Sequence, residues 1–163
     1  CSTFNPVMDY TNNNEFISDV ETCALHLNSL MDDEERIPVN LVIAQAIHES
    51  NWGKSRFATE GNNLLGIRTF DSSEDQLKPL NVPNASWGLR IFETKCESIA
   101  YYMWLLNYNH HYSQFRKERL SQYINDIVDV ELLAETLAIY SEDVYYTQKI
   151  IRTLKKLESY DRD

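Results

Sequence analysis

Glycine and proline are scarce in this chain, with four of each in 163 residues, which excludes collagen-like repeats and Pro/Gly-rich low-complexity sequence. No apolar run approaches the roughly 18–20 residues that cross a bilayer as a helix. Basic charge is also short: 15 Lys and Arg stand against 25 Asp and Glu, a formal net charge of −10. A surface that negative repels phosphate backbones, so nucleic acid is not an expected partner. The three cysteines, an odd number, fit neither a disulfide framework nor a four-ligand zinc site. What is present, 43% hydrophobic, 25% charged and 12% aromatic residues, describes a compact, helix-leaning domain. A chain of this length buries roughly 68–70% of its unfolded surface in one core, with room for one cleft.

The negative charge is unevenly placed. Residues 1–35 carry eight acidic side chains and no Lys or Arg, leaving a nearly neutral remainder of 17 acidic against 15 basic residues. Cys1-Ser2-Thr3 looks like the start of a mature bacterial lipoprotein, whose N-terminal cysteine carries lipid; the alternative is that position 1 is simply where the sequence starts. Cys23 and Cys96 are then either a pair or two buried free thiols.

Residues 1–12 lack periodicity and read as a tether, leaving 13–163 as a single domain. Apolar residues at Phe16, Ile17, Val20, Ala24, Leu27 and Met31 predict an amphipathic helix over 14–31. After Pro38, residues 39–49 are apolar on nearly every face except Gln45 and His48, the pattern of a central buried helix. Residues 51–63 and 71–86 read as irregular loops, and 64–70 and 87–92 as two short strands of a small β-hairpin. Thr94 with Glu97 is a capping-box start for a helix over 95–107, and further helices are expected near 120–128, 131–140 and 143–160. The fold class is mainly α, or α+β.

Several chemistries lack their signatures. A His-Glu-x-x-His zinc motif would need histidine where Trp52 stands. Gly-x-Ser-x-Gly and phosphate-cradling glycine loops are absent, and His110-His111 has no metal-ligand spacing. No metal or cofactor is therefore expected. Glu49 remains, at the end of an apolar helix beside Trp52. A carboxyl group held against apolar and aromatic surface is desolvated, and its pKa rises. Such a group can serve as the general acid that breaks a glycosidic bond; the plainer reading is a helix-terminal glutamate facing water.

The stretch AQAIHESNWGKSRFATEGNNLLGI, residues 44–67, resembles the signature of the bacterial glucosaminidase family that cuts peptidoglycan, most closely its Bax-like branch. Weaker agreement runs through RIFET, LLNYNHHY and YSEDVYYTQKI, so that the resemblance spans residues 38–157. It implies a lysozyme-like fold, with helices around a cleft and a small β-lobe as one wall. The implied activity is hydrolysis of the β-1,4 bond after N-acetylglucosamine in peptidoglycan strands, with Glu49 as proton donor and Tyr146 reaching the cleft floor. Trp52 would pack the site and help desolvate Glu49. Asn62, Asn63, Tyr140 and Trp87 are candidate sugar-binding residues, although Asn62 and Asn63 serve equally well as loop-forming residues. Tyr101, Tyr102, Trp104 and Tyr108 offer aromatic faces on which sugars stack.

The chain departs from the family pattern at one point. Many members carry a second glutamate in the β-lobe, and here residues 82–88 hold no carboxylate. Asp71, Glu74 and Asp75 in the preceding loop are candidates to replace it. Otherwise the substrate's acetamido group assists, a single glutamate runs a lytic transglycosylase-like cyclisation, or only glycan binding survives. The expected setting is the cell envelope, as a periplasmic or membrane-anchored lipoprotein, with the chain a monomer that meets the membrane only through Cys1.

Overall fold

The computed structural model describes residues 6–159; the expected lipid site at Cys1 lies outside them. Helix α1, Asn13–Ser29, starts where the Asn12 side chain accepts a hydrogen bond from the Glu15 amide at 2.8 Å. One face of α1, carrying Phe16, Ile17, Val20, Cys23 and Ala24, is fully buried. That face packs on α2, Val39–Ser50, which follows Pro38. Every residue from Leu41 to Ile47 is buried, because α2 is surrounded by α1, α6 and α7, in keeping with its apolar sequence on nearly every face.

Asn51, Trp52 and Gly53 take φ values of 50°, 60° and 75° in succession, which reverses the chain into α3, Arg56–Gly61. The Ser55 side chain caps α3 by accepting from the Ala58 amide. Next come β1 (Arg68–Thr69), β2 (Gln76–Leu77) and β3 (Gly88–Arg90), an antiparallel sheet in the order β1-β3-β2. Arg68 pairs with Leu89 and Gln76 with Arg90. Thr94 caps α4, Lys95–Tyr108, by accepting from the Glu97 amide, while the Glu97 carboxylate accepts from Glu93 N–H. Helices α5 (Ser113–Ile124) and α6 (Val130–Glu135) follow, then a 3-10 turn at Ala138–Tyr140 and α7 (Tyr146–Glu158). Cys23 and Cys96 form a disulfide between α1 and α4, their Cα atoms 5.8 Å apart. Among the described residues no helix is long and apolar enough to cross a membrane.

Mainly α architecture with a small β-lobe is therefore what the chain adopts. Five local expectations change. Residues 6–12 do not hang free: Met8 is buried in the core, and the Tyr10 hydroxyl donates to the Gly53 carbonyl at 2.7 Å. Residues 56–61 are helical rather than irregular, and the sheet has a third strand drawn from the expected loop at 71–86. Helix α5 starts seven residues before position 120, because it buries little besides Phe115 and Gln122 and so leaves a weak apolar pattern. The expected helix over 131–140 breaks after Glu135 and resumes only as the 3-10 turn.

Candidate active site

A cleft of about 640 Å³ opens between the helical body and the β-lobe. Glu49, Gly66, Arg68, Tyr101, Tyr112, Tyr140 and Glu142 are among its lining residues. Glu49 enters it from the last turn of α2, opposite the short segment that leads into β1. Gly66 belongs to that segment and has φ +68°. A Cβ built on Gly66 would stand 2.5 Å from Glu49 Oε2. The position thus requires glycine twice, for its backbone angle and for the carboxyl group pressed against it.

Behind Glu49 lies a buried polar chain. Gln45, one helical turn earlier on α2 and fully buried, accepts from the Tyr102 hydroxyl and donates to the Tyr146 oxygen at 3.0 Å. The Tyr146 hydroxyl, accepting from Gln45, keeps its own O–H to donate to Glu49. Tyr140 stacks on Tyr146 with ring centroids 6.0 Å apart and planes 9° apart, while Tyr102 and Tyr112 lie 6.0 Å from Tyr140. The Tyr140 hydroxyl donates to the Leu65 carbonyl at 2.7 Å, joining the C-terminal part of the cleft to the segment beside Gly66.

This aromatic lining sets the electrostatics. Burial is the largest effect on Glu49 and lifts its pKa from the ordinary 4.5 to about 7; the Tyr146 hydrogen bond and the Arg68 charge both oppose the rise. The same burial, with the nearby Glu49 carboxyl, raises the hydroxyls of Tyr112, Tyr140 and Tyr146. The cleft therefore presents one recessed carboxyl group that holds a proton close to neutral pH, among phenols that stay protonated.

The other expected site residues are placed as follows. Tyr140 lines the cleft, and Tyr146 lies beneath it in contact with Glu49. Trp52 packs its ring 6.3 Å from Phe16 of α1 and is not among the cleft-lining residues. Asn62 donates to the Phe92 and Glu93 carbonyls. Asn63 is buried, donates to the Ile67 and Arg90 carbonyls and accepts from the Ile67 amide. Both asparagines thus build the loop rather than face the cleft. The Trp87 ring is covered by the Arg68 guanidinium at 4.0 Å and acts on the cleft through that arginine.

Asp71, Glu74 and Asp75 are absent from the cleft lining. Asp71 accepts from the Ser73 amide in an exposed turn, and Glu74 accepts from the Thr69 hydroxyl at 2.5 Å and pairs with Arg90 at 3.8 Å. Asp75 lies exposed at the lobe's edge beside β2. The loop folds back on the β-lobe because these acids satisfy its own donors. Arg68 carries no local signal that marks it for the site; Gln45 stands out only as a polar residue in an apolar helix, and Tyr112 and Glu142 lie in the weaker stretches of resemblance with nothing to single them out, the partners being as distant as Gln45 and Tyr146, 101 residues apart.

Comparisons with known proteins agree with this architecture. The catalytic domain of the autolysin Auto from Listeria monocytogenes superposes with a TM-score of 0.67 at 19% identity, covering 99% of this chain and 92% of that one. A C-terminally truncated glycoside hydrolase domain of FlgJ from Salmonella typhimurium gives a TM-score of 0.62 at 19% identity, covering 92% and 100%. The protein Bax of Escherichia coli K12 is 34% identical over 92 residues, 56% of this chain; the match spans about a third of Bax, 32% of its length. The sequence model of the glucosaminidase family, described as mannosyl-glycoprotein endo-beta-N-acetylglucosaminidase, matches residues 27–159. The chain therefore belongs to the glucosaminidase family and shares the lysozyme-like fold of these glycoside hydrolase domains.

Proposed function

We propose that the protein hydrolyses the β-1,4 bond after N-acetylglucosamine in peptidoglycan glycan strands, with Glu49 as the general acid. The observation that carries this reading is the recessed Glu49 carboxyl on the cleft wall, with its pKa raised to about 7. A carboxylic acid still protonated near neutral pH can give its proton to the departing glycosidic oxygen as the C1–O bond breaks, and general acid–base catalysis of this kind contributes about 10²–10⁴-fold. Tyr146 steadies the carboxylate left behind by donating its hydroxyl hydrogen bond. Tyr101, Tyr112 and Tyr140 offer ring faces and hydroxyls along the cleft to the sugars on either side of the scissile bond.

The surroundings support an envelope setting. The Cys23–Cys96 disulfide is of the kind that persists in oxidising compartments such as the periplasm. The chain outside its first 35 residues is close to neutral, so it exerts little net repulsion on a polymer whose stem peptides carry carboxylates.

Digestion of purified sacculi followed by mass spectrometry of the released ends tests the reading. Reducing N-acetylglucosamine ends are expected. Anhydro-muramic ends would replace hydrolysis by a lytic cyclisation, and binding without release would replace it by glycan recognition alone.

A further inference from the structure

We propose that Glu142 is the second carboxylate of the reaction, the base that activates the attacking water. The inference rests on the glycan-hydrolase reading above. Within the cleft lining two carboxylates occur, Glu49 and Glu142, one on each of two separate elements. Glu49 comes from the end of α2, and Glu142 from the connection between the 3-10 turn at 138–140 and α7.

The backbone on either side of Glu142 is held firmly, although its side chain is exposed. Two residues before it, the Tyr140 hydroxyl is bonded to Leu65. One residue after it, Asp143 takes hydrogen bonds from Lys149 Nζ at 2.5 Å and from the Tyr145 amide at 2.9 Å. The carboxylate stands beside Arg68, whose Nη1 lies 3.7 Å from Glu142 Oε1. Arg68 is in turn fixed by its place in β1 and by lying flat over the Trp87 ring. The same guanidinium charge acts on Glu49, so one cation serves both carboxylates. The β-lobe acids, by contrast, are turned onto their own loop.

The two glutamates differ in the way that the two roles require. Glu49 is recessed among tyrosines, where a proton is retained. Glu142 is open to solvent and stands beside the Arg68 guanidinium, where a water molecule has access. In the step, a water on the face of the sugar away from the leaving group gives one proton to Glu142 as its oxygen forms the new bond to C1. The electron pair of the C1–O4 bond passes to the leaving oxygen, which takes the Glu49 proton. Water then returns the proton from Glu142 to Glu49, and the anomeric centre is inverted.

The test compares Glu142→Gln, Glu142→Ala and Asp75→Asn with wild type on sacculi. Glu142→Gln is expected to lower kcat at least 100-fold with unchanged melting temperature and chitooligosaccharide binding, and Asp75→Asn to stay within twofold of wild type. Azide is expected to restore Glu142→Ala in part and to leave a glycosyl azide, a rescue that a merely structural role would not give. The first product of wild type should be the α-anomer. Glu142→Gln within a few fold of wild type, or a β-configured first product, overturns the assignment while leaving Glu49 as the acid. Failure of wild type to release any ends overturns both readings.

Discussion

Glu49 keeps its proton to a higher pH because it is buried, beside a cluster of Tyr102, Tyr112, Tyr140 and Tyr146 drawn from separate elements. Its placement at the end of an apolar helix is readable from the sequence, since residues 41–47 have no polar face beyond Gln45. The agent of burial is not: Trp52 is adjacent in sequence but turns toward Phe16. The raised pKa also bears on stability. In the unfolded chain Glu49 releases its proton near 4.5, and in the folded one near 7. Folded protein thus holds a proton that the unfolded chain has lost between these values, and stability falls as pH rises through that window. Glu49→Gln removes this loss. Relative to wild type it should gain up to about 3 kcal/mol between pH 4 and pH 8, read from urea unfolding at both pH values; an equal difference at the two would refute it. At Gly66, alanine meets both an unfavourable φ and the Glu49 carboxyl. Gly66→Ala should lose about 1–3 kcal/mol of stability and at least tenfold in turnover, measured by thermal melts and sacculus digestion.

The helices that build the cleft differ in how plainly their sequences declare them. α2 declares itself because it is buried on every side, and α4 because Thr94 and Glu97 mark its start. α5 is obscure because little of it is buried. The β-lobe departs furthest from expectation: its acids Asp71 and Glu74 bond to their own loop and leave the cleft to Glu142, which lies in the YSEDVYYTQKI stretch but carries no pattern that pairs it with Glu49. The pairing of Cys23 with Cys96 was equally open, since spacing alone cannot tell a bridge from two buried thiols. Their bond joins α1 to α4 across 73 residues and closes a long loop around α2 and the β-lobe. Cys23→Ser combined with Cys96→Ser should cost about 2–5 kcal/mol. Guanidinium unfolding of oxidised wild type beside the variant would show it, and coincident midpoints would contradict it.

At the scale of the whole molecule, one core holds α1, α2, α4 and α7 together, and the cleft lies where that body meets the β-lobe. The net charge of −10 comes largely from the first 35 residues, so the cleft's electrostatics are set locally by Glu49, Arg68 and Glu142 rather than by the molecule's overall field. The family match over residues 27–159 covers α2 to α7, the β-lobe and the cleft, and begins in the last turn of α1. On this view a recessed Glu49, protonated up to about pH 7, drives bond cleavage. The most direct test is kcat/KM on soluble peptidoglycan strands from pH 4 to pH 9 for wild type and Glu49→Gln. Wild type should show an alkaline limb with its midpoint near 7, and the variant should fold but show no measurable turnover. A variant that keeps wild-type turnover, or a wild-type rate that is flat across pH 7, would contradict it.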